Sequence, residues 1–216
     1  MSRVRIAPAS EAERRKSLLK AAFREVAERG FSSVTLDDIA ARAGVSKGVT
    51  LYHFDSKEDL LRELFSWMID SIHQRMREAV AAAGEPVEKV RALVSIIFPS
   101  PSKNRVFFRA YVDFCGLAAR RESFRQIDER FYTGCAEIDR GIVDEGMRRG
   151  AFRVRDSAET ASTVRAIFDG LMLQWLAEKD PEATFTKYRD RCERELLFYL
   201  AAPAGGGRAG AKTRGR

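Results

Sequence analysis

The stretch "AGVSKGVTLYHFDSKEDLL", which runs from Ala43 to Leu61, crowds small, hydroxyl, basic and aromatic residues into one short segment. Gly44 is placed to end a helix, and Ser46 is a favourable N-cap for the next one. Upstream, Thr35 and Asp38 match the capping box that opens a helix. The sequence therefore predicts two short helices joined by a tight turn, which is the arrangement of a helix-turn-helix.

The second of these helices, predicted over 46–53, has the composition that the DNA major groove requires. In a helix-turn-helix the second helix enters this groove, which is about 12 Å wide, with its N-terminal residues first. That position favours small residues where phosphates approach, hydroxyl and basic donors for those phosphates, and apolar residues on the opposite face. Asp55 or Ser56 then caps a third helix, which begins near Lys57.

The rest of the chain repeats apolar residues three or four positions apart, which is the spacing of amphipathic helices. No segment shows the alternation typical of a strand, so the sequence predicts an all-α fold of roughly nine helices. The N-terminal part is a three-helix helix-turn-helix domain, and the C-terminal part is a helical domain. Besides the two short helices, the predicted helices span 11–29, 57–82, 87–98, 103–120 and 122–149, followed by one that Asp156 and Glu159 open and one from 180 to 201.

Composition limits the class of protein. The 216 residues are 45% hydrophobic and carry a formal net charge of +7 with a pI near 9.5, a globular composition that leans toward polyanionic partners. Three widely spaced cysteines, the lack of a signal-peptide pattern and the lack of an apolar run of roughly 20 residues predict a cytoplasmic protein without a membrane span. No P-loop, H-E-x-x-H or G-x-S-x-G pattern occurs, so we expect no catalytic site, no cofactor and no metal.

Two blocks, "AAFREVAERGFSSVTLDDIAARAGVSKG" and "YHFDSKEDLL", resemble the N-terminal DNA-binding domain of the TetR family of transcriptional regulators. Two later blocks, "EGMRRGAFRVRD" and "IFDGLMLQWL", are similar to the end of the family's long seventh helix and to its eighth helix. The resemblance implies a homodimeric repressor that binds a palindromic double-stranded DNA operator and leaves it when a small ligand binds. It implies a DNA-binding domain at 1–60 and a ligand-binding and dimerisation domain at 61–202, with the last two helices at the dimer interface. The Gly-rich basic tail at 203–216 is expected to be disordered.

The resemblance also assigns residues that contact DNA. Among them Lys47 is the candidate for reading a base edge, because lysine reaches the O6 and N7 atoms of guanine. The others are expected to meet phosphates or to lie at the start of the recognition helix. The whole set is Thr35, Ser46, Lys47, Gly48, Val49, Tyr52, His53 and Lys57.

One departure from the family pattern lies within the recognition helix. Without gaps, Thr50 stands where the family usually has Leu or Ile, and Leu51 stands where it usually has Tyr. Leu51 therefore lacks the hydroxyl that usually binds phosphate. A one-residue slip would instead place Thr50, Leu51 and Tyr52 on the usual triplet. The ungapped alignment is preferred because it keeps "HFDSKEDL" in register.

Aromatic and thioether side chains are abundant in the C-terminal part, where most belong to the core and some are candidates to line an apolar ligand pocket. The candidates are Trp67, Phe107, Phe108, Tyr111, Phe114, Phe131, Phe168, Met172 and Trp175. They favour a small apolar or aromatic effector. If Asp113 faces inward, a cationic or hydroxyl-bearing ligand becomes plausible, because an unpaired buried carboxylate is costly. The alternative is a helical regulator that a protein partner controls.

Overall fold

The computed structural model describes residues 10–201. In that range the chain forms nine α-helices and one 3-10 helix and contains no β-strand, which confirms the all-α fold. The elements are α1 (Glu11–Arg29), η1 (Phe31–Ser33), α2 (Leu36–Ala43), α3 (Lys47–His53), α4 (Lys57–Ala82), α5 (Pro86–Ile97), α6 (Pro101–Ala118), α7 (Glu122–Arg148), α8 (Ser157–Leu176) and α9 (Pro181–Ala201). The predicted basic tail at 203–216 lies outside the described residues.

Side-chain caps explain where the first helices begin. Ser10 and Thr35 each form a complete capping box, with Glu13 and Asp38 respectively, at the starts of α1 and α2. The amides freed at a helix start are thereby paired within the chain. Gly44 ends α2 in the left-handed conformation with φ 70°, which a glycine adopts without strain.

In α5, α6 and α7, five predicted helix ends are shifted by one or two residues. α5 begins at Pro86 instead of residue 87, and α6 begins at Pro101 instead of residue 103. Proline suits the first helical position, since its missing N–H would have no partner there, and it is therefore included in the helix. α5 and α6 end one and two residues earlier than predicted, at Ile97 and Ala118, and α7 ends at Arg148 instead of residue 149.

The described residues form two compact units. The first contains the residues up to Ile72 together with Ser102–Phe131. Within it α1 packs on α2 and α2 packs on α3. Three buried rings from different helices meet in its core, where the ring centroids of Phe65 and Phe114 are 4.4 Å apart and those of Phe65 and Phe124 are 6.1 Å apart.

The second unit contains His73–Pro101 and the residues from Tyr132 onward. Within it α9 packs against both α5 and α8. The fully buried Trp175 anchors the turn between α8 and α9, because its indole Nε1 donates to the Pro181 carbonyl at 2.7 Å. The division into these units by compactness differs from the functional division at residue 60, which stays a prediction.

None of the described helices has the combination of length and apolar composition that crossing a membrane requires.

Candidate nucleic-acid interface

A tight turn fixes the angle between α2 and α3. The Gly44 amide donates to the Ala41 carbonyl at 3.1 Å, and the Val45 amide donates to the Ala40 carbonyl at 3.0 Å. Together with the left-handed Gly44, these bonds close the end of α2 and start α3 after only three residues. The two helices therefore form the predicted helix-turn-helix.

The outer face of α3 consists of Lys47, Gly48, Leu51 and Tyr52, which are all exposed. Residues three and four apart share one side of a helix, so these four side chains form one continuous surface. On the opposite side Thr50 is completely buried and His53 is 8% exposed. Thr50 thus takes the inward place that Leu or Ile usually fills, which supports the ungapped alignment.

Lys47 forms an ion pair with Asp37 of α2, with 2.8 Å between Nζ and the carboxylate oxygen. Both side chains are more than half exposed. Solvent screens such a pair, which contributes at most about 1 kcal/mol to folding. The ammonium can therefore exchange this partner for a base or a phosphate at little cost.

Thr35 and Ser46 use their hydroxyls as helix caps. The Thr35 Oγ1 accepts from the Asp38 amide at 3.2 Å, and the Ser46 Oγ accepts from the Val49 amide at 3.4 Å. Both hydroxyls lie at the exposed starts of α2 and α3, and Val49 is half-buried. Their contacts to DNA stay predictions.

Lys57 is held by the 3-10 helix that precedes α2. Its ammonium donates to the Phe31 carbonyl at 2.6 Å and lies 4.7 Å from the centroid of the Phe31 ring. Burial lowers the pKa of Lys57. A phosphate contact by this side chain stays a prediction, and it requires the ammonium to leave or share these partners.

The backbone amide of Phe31 also has a hydrogen-bond partner. The Asp113 carboxylate, from α6, accepts from the Phe31 amide at 2.7 Å. The Asp113 carboxylate is therefore not unpaired, because it has a backbone partner in the first unit. Its contact with a cationic or hydroxyl-bearing ligand stays a prediction. Sequence periodicity could not show the bond to Phe31, since the two residues are 82 positions apart.

Helices α1, α2 and α3 form the three-helix head of the protein. Arg15 of α1 is a residue of this head whose role the sequence did not predict. Its Nη1 donates to the His53 carbonyl at 2.8 Å and its Nε donates to Glu63 at 2.6 Å. Its guanidinium also lies 4.6 Å from the centroid of the Phe54 ring. One side chain of α1 thus pairs the last carbonyl of α3 and links it to α4. His53 contributes its backbone here, and a phosphate contact by its buried ring stays a prediction.

The predicted pocket residues fall into two groups. In the first unit, Phe107, Phe108, Tyr111, Phe114 and Phe131 pack against one another, with 5.2 Å between the Tyr111 and Phe131 ring centroids, and Trp67 is half-buried. In the second unit Phe168, Met172 and Trp175 are buried. Their role in ligand binding stays a prediction.

A small cavity in the second unit lies among α5, α7, α8 and α9. Its lining is apolar except for Asp139 and consists of Val90, Leu93, Asp139, Ile142, Val143, Val164, Phe168, Leu196 and Leu200. Phe168 is the predicted pocket residue that lines it. Asp139 is thus the one charged residue among those that line the cavity.

Asp139 forms a buried ion pair with Arg165, with 2.8 Å between the carboxylate oxygen and Nη2. The second carboxylate oxygen, Oδ1, and the Arg165 Nε have no hydrogen-bond partner among the described residues. Burial raises the pKa of Asp139 against the opposing attraction of Arg165. A sequence signal existed, because Asp139 lies on the apolar stripe of Cys135 and Ile142.

Known proteins resemble both parts of the chain. Residues 18–64 match the family described as "Bacterial regulatory proteins, tetR family", and residues 86–201 match "BetI-type transcriptional repressor, C-terminal". The repressor KstR2 of Rhodococcus jostii is 30% identical over 148 residues, which cover 68% of this chain and 72% of that protein. The regulator BetI of Rhizobium meliloti is 32% identical over 172 residues, covering 79% of this chain and 82% of that protein.

Solved structures share the fold. A putative transcriptional regulator from Saccharomonospora viridis in complex with choline aligns with a TM-score of 0.82 at 24% identity, covering 89% of this chain and all of that one. The two family matches cover the helix-turn-helix and most of the helices that follow it. The chain is therefore a DNA-binding transcriptional regulator and belongs to the TetR family.

Proposed function

We propose that the protein represses transcription as a homodimer bound to a palindromic operator, and that a small molecule bound by its C-terminal helices releases it from DNA. The observation that carries the proposal is the outer face of α3, where Lys47, Gly48, Leu51 and Tyr52 are exposed on a braced three-helix head. The named repressor KstR2 among its relatives supports repression over activation. The protein acts in the cytoplasm, where its operator is.

Exposed apolar residues on the last two helices support the homodimer. Leu173 of α8 is 52% exposed and Phe198 of α9 is 73% exposed. α8 and α9 pack on each other within one chain, and pairing of two such hairpins forms a four-helix interface that covers both side chains. A two-fold dimer presents two identical recognition helices, which explains why its operator is a palindrome.

Release by a ligand follows from thermodynamic linkage. The ligand binds more tightly to a dimer whose two heads do not fit the operator half-sites than to the dimer on DNA. The affinity for DNA then falls by the same factor by which DNA lowers the affinity for the ligand. A tenfold effect corresponds to about 1.4 kcal/mol of coupling free energy.

A small organic cation is the first effector to test. The C-terminal match is to a BetI-type repressor, and a structural neighbour binds choline. In the second unit the two carboxylates of Asp139 and Asp169 interact with the single guanidinium of Arg165, and burial raises the pKa of Asp169. A ligand that carries a positive charge would complement Asp139 Oδ1, which has no hydrogen-bond partner among the described residues. A neutral apolar or aromatic ligand is the alternative.

Selection of bound fragments from a genomic DNA library, at two salt concentrations, tests the operator. A short palindrome that survives the higher salt supports the proposal, whereas binding without sequence preference that vanishes as salt rises contradicts it. Lys47→Ala is expected to weaken binding to the palindrome by roughly tenfold to a hundredfold. Lys179→Ala removes the same charge between α8 and α9 and is expected to leave the affinity unchanged.

Titration of the protein–operator complex tests the effector. Choline is compared with its neutral isostere, in which carbon replaces the quaternary nitrogen. Release by choline alone supports a cationic effector, and release by both supports an apolar one. If neither these compounds nor a library of small metabolites releases the DNA, the alternative of a protein partner replaces the small-molecule mechanism.

A further inference from the structure

We infer that Leu51 reads the C5-methyl group of a thymine in the operator, and that Gly48 leaves room for the base edge beside it. The inference rests on the proposed operator binding and adds to it a residue that determines sequence specificity.

Leu51 points away from the protein on the helix that enters the groove. It keeps 46% of its surface exposed, although the adjacent Thr50 is completely buried. A single exposed leucine is common on protein surfaces, but its side chain has no donor or acceptor for phosphates or base edges. The apolar group that bases present in the major groove is the thymine methyl, so this is the partner that Leu51 can recognise.

Gly48 precedes Leu51 by three positions and shares its helix face. A Cβ added at Gly48 would meet only the Ser46 Oγ, at 3.8 Å, which is an ordinary contact. The backbone of Gly48 also does not have a positive φ, so its conformation does not call for glycine. Within the described residues nothing requires a glycine here, and glycine is unfavourable in a helix. Close approach of the DNA explains its lack of a side chain.

Lys47 and Leu51 are four residues apart and stand in one row on the helix. The row presents a cation followed by an apolar group. This order suits a site in which guanine supplies acceptors and a nearby thymine supplies a methyl group. Gly48 and Tyr52, also four residues apart, form a neighbouring row on the same face. The Tyr52 hydroxyl can donate to a phosphate.

The test measures binding of the full-length protein to a synthetic duplex copied from a palindrome recovered in the genomic selection. Each thymine of one half-site, with its symmetry mate, is replaced in turn by deoxyuridine. Uridine keeps every hydrogen-bonding group of thymine and lacks only the methyl. The series is repeated with Leu51→Ala and with Leu51→Met, which keeps an apolar side chain of similar reach. The control is Val112→Ala, which shortens a 39% exposed aliphatic side chain of α6.

We expect the wild type and Val112→Ala to lose affinity at one thymine position by about threefold to fivefold for each methyl removed, the value for one buried CH₂-sized group. Leu51→Ala should bind the thymine duplex more weakly and show no loss at that position. Leu51→Met should keep part of the methyl dependence.

Equal wild-type affinity for every uridine duplex overturns the inference and leaves operator binding intact. Undiminished uridine sensitivity of Leu51→Ala also overturns it, because another residue would then contact the methyl. If the wild type does not distinguish the recovered palindrome from a shuffled duplex, both the inference and the proposed operator binding fail.

Discussion

At the scale of single residues, Asp38 shows how one carboxylate supports a helix start. It accepts from the Thr35 hydroxyl at 2.6 Å and the Thr35 amide at 2.9 Å, and it pairs with Arg29 at 2.7 Å. The Thr35 hydroxyl and Arg29, with the Thr35 amide, lower the pKa of Asp38 from 3.8 to about 2. The ionised carboxylate is therefore the form that stabilises the start of α2.

The low pKa of Asp38 predicts that part of the free energy of unfolding is lost in acid. Because the folded pKa lies below the unfolded value, the stabilisation is complete above pH 4 and is lost as pH falls from about 4 to about 2. Asp38→Asn keeps the side-chain shape but lacks the charge, so its unfolding free energy should depend less on pH in this range. Urea unfolding at several pH values measures the difference, and parallel pH profiles of the two proteins would contradict the prediction.

Arg15 carries a second prediction at this scale. Arg15→Ala should lower the free energy of unfolding by about 1–2 kcal/mol, the lower part of the range for hydrogen bonds to charged groups, because solvent screens a partly exposed pair. It should also weaken DNA binding, since the end of α3 loses its partner in α1. Arg15→Lys keeps the charge without the forked geometry and should recover little of the loss. Unchanged urea midpoints would show that Arg15 does not brace the head.

At the scale of elements, two of the three glycines of α7, Gly141 and Gly146, have opposite environments. A Cβ at Gly146 would overlap the ring of Phe152, whereas a Cβ at Gly141 would have nothing within 4 Å. Phe152 is buried, so its ring cannot move aside freely. The same substitution at two sites of one helix therefore separates crowding from helix propensity.

Gly146→Ala should lower the free energy of unfolding by about 1–3 kcal/mol, the usual effect of overpacking. Gly141→Ala should raise it by up to about 1 kcal/mol, because alanine favours the helix. Thermal and urea unfolding of the two variants measures both signs. Destabilisation by both substitutions would mean that helix propensity is not the only factor at Gly141.

The helices that the sequence predicted well are those with local signals. The capping residues at Thr35 and Ser46 and the left-handed Gly44 lie within a few positions of the ends that they fix. The sequence pattern treats Pro86 and Pro101 as helix breaks and predicts helix starts after them, although both residues occupy the first turn of a helix.

The sequence predicts the candidate site only where the residues concerned lie on the same helix. The outward face of α3 follows from its period, but the bonds of Arg15 to residues 38 and 48 positions away do not. The Asp113 bond to Phe31 joins α6 to η1, and no pattern along the chain reports it. Such contacts depend on how helices pack, which a single sequence does not contain.

At the scale of the whole molecule, the proposed dimer gives a test of assembly. The double variant Leu173→Glu and Phe198→Glu should be monomeric, because each dimer interface would contain four new negative charges in place of apolar side chains. Val112→Glu adds a charge at another exposed aliphatic position and should stay dimeric. Sedimentation analysis measures the mass, and a dimer formed by the double variant would exclude α8 and α9 as the principal interface.

The monomeric variant should also bind one operator half-site only weakly. A dimer gains affinity because its second head binds at a high effective concentration once the first is bound. Full affinity for a single half-site would contradict a palindromic operator.

The buried pair of Asp139 and Arg165 also constrains how this protein can evolve. Loss of either partner alone strands a charge in the interior, at a cost of about 3–5 kcal/mol, whereas joint replacement by apolar residues is often neutral or stabilising. The charged pair and an apolar pair are thus both stable, but the single mutants between them are not. A lineage that changes one codon at a time therefore keeps the charged pair, even after the selection that first established it has ended.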